Sequence, residues 1–141
     1  MRNTKKEKQM QYWVVGAMWG GKDVALPQFL KRGYWYCWDP NTTTPDNNEQ
    51  GNSISVQQER FRTIKPGDRI AVKKMLGRGS AEMSILAIGV VKDIDEDEWR
   101  VYVDWMDIGA IERKVPLHGC TASVHGPFES TDPWVHQVFH I

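Results

Sequence analysis

Seven tryptophans in 141 residues are the first chemical signal in this chain. Aliphatic side chains fill a core well enough, whereas indole adds a broad π-face and one N–H donor. An excess of indole therefore points to a stacking pocket. Trp19 follows the apolar run Tyr12-Trp13-Val14-Val15 and stands directly before Gly20-Gly21. Glycine lets a ligand or another backbone approach closely, so a bulky ring there is a poor core residue and a good rim residue. Trp35 and Trp38 lie in Tyr34-Trp35-Tyr36-Cys37-Trp38, four aromatics within five residues. In an extended chain Trp35 faces one side and Tyr34, Tyr36 and Trp38 face the other. Trp13 and Trp99 read as core residues of alternating strands, Trp134 as packing on a closing helix, and Trp105 as either wall or core.

The elements that must position these rings follow from periodicity and turn chemistry. Residues 12–21 read as a buried strand running out into a glycine-hinged tip. A short helix begins near Leu26, with Asp23 ahead of it as a cap, Pro27 in its first turn and Gly33 as its stop. Tyr34 to Trp38 reads as a strand, and the polar segment 39–53 as a long loop. A second helix covers 54–64. Lys65-Pro66-Gly67-Asp68 turns into the strand Arg69 to Lys74, and Gly77-Arg78-Gly79-Ser80 forms a tip. Met83 to Val91 is the most hydrophobic strand and is expected to be central. Asp93 to Glu98 reads as an acidic turn before the alternating strand Trp99 to Trp105. Edge strands are expected at 111–115 and at 121–125, the latter ended by Gly126-Pro127. Thr131-Asp132-Pro133 opens a final helix. Five or six strands and three short helices without a repeating βαβ order predict an α+β fold, a small mixed, mainly antiparallel barrel.

Composition sets the bounds. Eighteen basic and eighteen acidic residues give zero net charge, which argues against coating nucleic acid through bulk charge and leaves room for a pocket that grips one base. Two cysteines do not suggest a disulfide scaffold. Residues 1–10 read as a disordered basic tail and 11–141 as a single domain. With no signal-peptide h-region and no apolar run of transmembrane length, a cytoplasmic protein without membrane contact is expected.

The succession WVVGAMWGG, FLKRGYW, IKPGDRIAVK, LAIGVV and YVDW resembles the EVE-like domains of the PUA-like fold, relatives of YTH domains. In particular it is similar to the N-terminal modified-base-reading domain of methylation-dependent restriction NTPases. The likeness spans roughly residues 12–139 in the same motif order. It implies a barrel whose mouth holds an aromatic cage for a base, often methylated, flipped out of its nucleic acid. Carried over, it places Trp19 and Gly20 at the rim after the first strand and Trp35 after the first helix. Lys73 falls at the end of its strand, with Asp104 and Trp105 at the end of theirs. The 39–53 loop is longer, and the Arg78 tip shorter, than the family's usual connections. No P-loop motif is present in the sequence, so a nuclease or NTPase partner is expected on a separate chain.

Base reading suits these residue types. Unstacking a base costs a few kcal/mol, and stacking on an aromatic returns about 1–3 kcal/mol per base. One buried methyl adds roughly 0.8 kcal/mol, so discrimination also needs an acceptor at the ring edge, for which Asp39 and Asp104 are candidates. Trp38 joins the cage, and Lys73, Lys74 and Arg78 are candidates for flanking phosphates. DNA is expected over RNA, with no cofactor and no catalytic residue. Three other readings compete. Thr63-Ile64-Lys65-Pro66-Gly67-Asp68 loosely matches the Thr-x-Lys-x-x-Glu motif of ASCH-type amidohydrolases acting on acylated cytidine. His118, Cys120, His125, His136 and His140 offer metal-ligand types at spacings that match no zinc pattern. A protein-interaction module serving a separate nuclease or ATPase is the third.

Overall fold

Tyr12–Gly16 (β1) carries four consecutive buried side chains, Tyr12 through Val15. Alternation sends Trp13 and Val15 to one face of the sheet and Tyr12 and Val14 to the other. Each face has its own core: Trp13 and Val15 pack in a cluster with Phe29, Trp35 and Phe61, while Tyr12 and Val14 pack with Met83, Trp134 and Val138. Burial on both faces is why the run reads as continuously apolar. The computed structural model describes residues 10–16, 18–19, 23–24, 26–36, 54–76, 79–106, 113–120 and 124–139.

Past β1 the backbone forms a small antiparallel pair, Met18–Trp19 (β2) with Asp23–Val24 (β3), in which Trp19 lies opposite Asp23. Leu26–Arg32 (α1) follows, with Pro27 where the first-turn N–H is dispensable; Asp23, expected as its cap, lies three residues ahead in β3 and cannot serve as one. Gly33 ends it at φ 75° and donates its N–H to the Phe29 carbonyl at 2.9 Å. The chain continues through Tyr34–Tyr36 (β4), Ile54–Thr63 (α2), Arg69–Met75 (β5), Glu82–Asp95 (β6), Arg100–Met106 (β7), Arg113–Pro116 (β8), Val124–Phe128 (β9) and Pro133–Phe139 (α3). The sheet has seven strands in the order β4-β7-β6-β5-β1-β9, with β8 also on β6. Its β1–β5 pair is parallel and the other pairs are antiparallel. The central strand is β6, as its apolar run predicts.

The expected ring is not closed by hydrogen bonds among the described residues: the ladder ends at β4 on one side and β9 on the other. It is strongly curled nonetheless. A flat sheet would separate β4 from β1 by about 19 Å, four strand spacings. Trp35 on β4 donates its indole N–H to the Gly16 carbonyl on β1 at 2.7 Å. Helix α2 spans the gap. Its Gln57 side chain accepts from the Val124 main-chain N–H at 3.3 Å and its Arg60 donates to the Val124 carbonyl at 2.8 Å. These bonds occupy the outward edge of β9, an edge that would otherwise invite pairing. From the same helix Phe61 meets the Trp99 ring edge-on at 5.3 Å, next to β7. On the opposite face α3 covers the second core, its first turn capped by Asp132, which accepts from the Trp134 N–H at 2.9 Å.

Three expectations change. The acidic stretch is not all turn: β6 runs on to Asp95, because Ile94 packs against the core between outward-facing aspartates and pairs with Val101. Trp99 consequently leaves the strand and sits in the turn at φ 55°, half-buried rather than core. The strand expected to stop before Gly126-Pro127 runs through them. A bulge lies between Tyr12 and Val14 on the partner side, and an edge strand tolerates proline. Gly126 has φ 138°, and a Cβ there would lie 2.5 Å from Trp13 Cε3. The basic tail up to residue 9 and the 39–53 loop lie outside the described residues.

Candidate nucleic-acid interface

The end of β1 is where the sequence places the site, and several elements meet there. Phe29 of α1 is the hinge of the arrangement: its ring lies 6.5 Å from that of Trp35. Its carbonyl, at the end of the helix, accepts from the Gly33 N–H and from Trp105 Nε1, each at 2.9 Å. A carbonyl oxygen has two lone pairs, and the indole donor takes the one that the Gly33 bond leaves. Trp105 is thereby fixed in one orientation, packed against the core and only partly exposed. Trp35 is pinned in the same way, to Gly16, but is 0% exposed. The expected open wall is corrected to a core residue, because β4 sits under α1 and both faces of its aromatic triplet are covered.

The two ends of the proposed Asp104–Trp105 pair separate. As consecutive strand residues they face opposite sides: Trp105 packs toward the inner cluster, whereas Asp104 is exposed and lies 3.5 Å from Lys92. One pocket cannot use both. Trp19 is described through its backbone, three residues beyond Gly16. Gly20, Trp38, Asp39 and Arg78 lie outside the described residues.

The two lysines part in the same manner. Lys74 is exposed, but Lys73 is 4% exposed, which corrects its expected role at the surface. It shares a face with Ala71 and the second core and lies opposite Gly16. Its charge, with that of Arg60, acts on His125 and Cys120. Burial, then Lys73 and Arg60, lowers the His125 pKa to about 4. Burial raises the Cys120 thiol to about 11 against the pull of the same two cations. His125 is therefore neutral and Cys120 protonated at pH 7, so neither an imidazolium nor a thiolate nucleophile is on offer.

Of the residues the competing chemistries would use, Asp68 and Thr63 are engaged in the fold, whereas Lys65 is exposed. Asp68 is 3% exposed, and its carboxylate accepts from the Gln11 N–H at 3.1 Å and from Trp13 Nε1 and the Lys65 N–H at 2.9 Å. That is a structural anchor joining the turn to β1, not a free acid. The hydroxyl of Thr63 donates to the Arg60 carbonyl at 2.6 Å. Among the described residues no three of His, Cys, Asp and Glu gather as metal ligands. His118 stacks on Trp134 at 4.5 Å, and His136 Nε2 donates to the Ser130 carbonyl at 2.6 Å. His140 lies outside the described residues.

Sequence reasoning missed the stacked arginines. Arg62 lies 5.0 Å from the centre of the Trp99 ring, and Arg100 lies 5.0 Å over Tyr34 and 4.8 Å over Tyr36. The second arrangement follows from the register that puts Tyr36 opposite Arg100, which no local pattern encodes. No helix among the described residues is long and apolar enough to cross a membrane. No protein-family model matches the chain, and no curated protein matches its sequence.

Proposed function

We propose that this chain is a nucleic-acid-binding module that captures a single flipped base, a methylated one, at the open end of a PUA-like, EVE-like curled sheet. The observation that carries this reading is Trp105. Its N–H is already committed to the Phe29 carbonyl, so the part of the ring left exposed offers π-surface and no donor, which suits stacking and not hydrogen-bond readout. Trp35 backs the same region from inside, and Trp19, three residues past Gly16, is the residue proposed as a second stacking partner. The Trp35–Gly16 bond supports the barrel-like class, since it needs β4 and β1 to close upon each other. DNA is the proposed nucleic acid, and a separate nuclease or NTPase the proposed partner. With Asp104 turned away from Trp105, the acceptor that discriminates the ring edge falls to Asp39 or to a main-chain carbonyl.

The test is tryptophan fluorescence against short oligonucleotides, each bearing one differently modified base in DNA or RNA. Quenching that saturates for one modification, and not for the unmodified strand, supports base capture. Equal response to every strand, or to none, removes the proposal.

A further inference from the structure

Lys74 of β5, Ser84 of β6 and Lys114 of β8 form one row across three adjacent strands, since Lys74 pairs with Ser84 and Ser84 with Lys114. Residues directly paired in a ladder point to the same face. Both lysines are exposed, whereas Ser84 between them is 0% exposed. Strands lie about 4.8 Å apart, so the two lysine backbones stand about 10 Å from each other, a gap their long stems close easily. Neither lysine forms an ion pair with another of the described residues. The Ser84 hydroxyl has no hydrogen-bond partner among the described residues. Buried hydroxyls without partners cost folding free energy and are few in native proteins. One retained at the centre of a cationic row lacks an acceptor that an anion would bring.

We infer that Lys74, Ser84 and Lys114 form a phosphate site for the backbone of a nucleic-acid strand. Two ammoniums drawn onto one phosphate place it over the middle residue, and the serine hydroxyl donates to one of its oxygens. The row lies one residue from the β5–β6 connection, at the hairpin's end. Glu82 is exposed on the same face, two residues from Ser84, and opposes the phosphate. The site stands on this geometry; only the choice of nucleic acid as the phosphate's source rests on the function proposed above.

The experiment uses a single strand made of abasic spacers, which offers phosphates and no base, with fluorescence anisotropy followed across a range of salt. Lys74→Gln and Lys114→Gln should each lower the slope of log K against log salt by about 0.7, the loss of one single-strand phosphate contact. Ser84→Ala should weaken binding several-fold while leaving the thermal midpoint unchanged or higher, because a buried orphan donor is removed. Glu82→Gln should strengthen binding, and inorganic phosphate should compete. A double lysine variant with the wild-type slope, Ser84→Ala binding as tightly as wild type, or no binding of the abasic strand each overturns the inference. Failure of the base-reading function appears elsewhere, as loss of preference for the modified strand with these slopes intact.

Discussion

Replacing Asp68 by asparagine keeps the side chain's shape and removes its charge and one acceptor oxygen. In the native structure Oδ2 accepts from Trp13 Nε1 and the Lys65 N–H, and Oδ1 from the Gln11 N–H. The asparagine oxygen can serve Trp13 and Lys65, which turns its NH2 toward the Gln11 N–H, donor against donor. That confrontation costs about 1–3 kcal/mol, and reducing two bonds from a charged to a neutral acceptor costs about 1 kcal/mol each. The sum, about 4 kcal/mol, is a large share of a domain stability of about 5–15 kcal/mol. With a urea slope of about 2 kcal/mol/M, the midpoint should fall by about 2 M. Equilibrium urea unfolding followed by tryptophan emission reads this directly. A shift below about 0.5 M would refute the claim that this carboxylate anchors the turn to β1. Turnover of acylated cytidine by the wild-type protein that a still-folded Asp68→Asn variant lacks would instead make Asp68 a catalytic residue, and the amidohydrolase reading would return.

Gly126→Ala should destabilise by more than about 2 kcal/mol, the range for overpacking with backbone strain, since its Cβ would lie 2.5 Å from Trp13 Cε3 at φ 138°; calorimetry checks it. His125, lowered from 6.5 to about 4, binds its proton less readily folded than unfolded. Stability should therefore fall as pH drops from about 6.5 to about 4, where the unfolded chain is protonated and the folded one is not. His125→Gln should flatten that part of a urea-midpoint profile, and an unchanged slope would contradict the assignment. Arg60→Ala and Gln57→Ala should free the Val124 edge, read as faster amide exchange in β9.

The helix limits are written locally and were legible for that reason. Pro27 and Gly33 bracket α1, and Asp132-Pro133 opens α3, because caps and breakers act within a turn of the residues they govern. The turn at Pro66-Gly67 and the strand after it were readable in the same way. Register was not. Which of Lys73 and Lys74 points inward depends on the parity of β5, and its first residues are buried on both faces, so alternation gives no outside to count from. Trp35 lies in a three-residue strand with rings on both sides, and only the curl toward β1 decides that it belongs to the core. The row Lys74–Ser84–Lys114 joins residues up to 40 positions apart through two ladders, which no window of sequence contains.

The most direct measurement is the affinity of Trp105→Ala for methylated and unmodified oligonucleotides, beside wild type and Trp105→Phe. Loss of one stacking face is worth about 1–3 kcal/mol, so methylated-strand affinity should fall about 10- to 100-fold. Trp105→Phe should recover part of that affinity; both variants lose the bond to the Phe29 carbonyl, so affinities are compared per folded molecule, counted by circular dichroism. Trp105→Ala binding the methylated strand as tightly as wild type would contradict base capture at this ring.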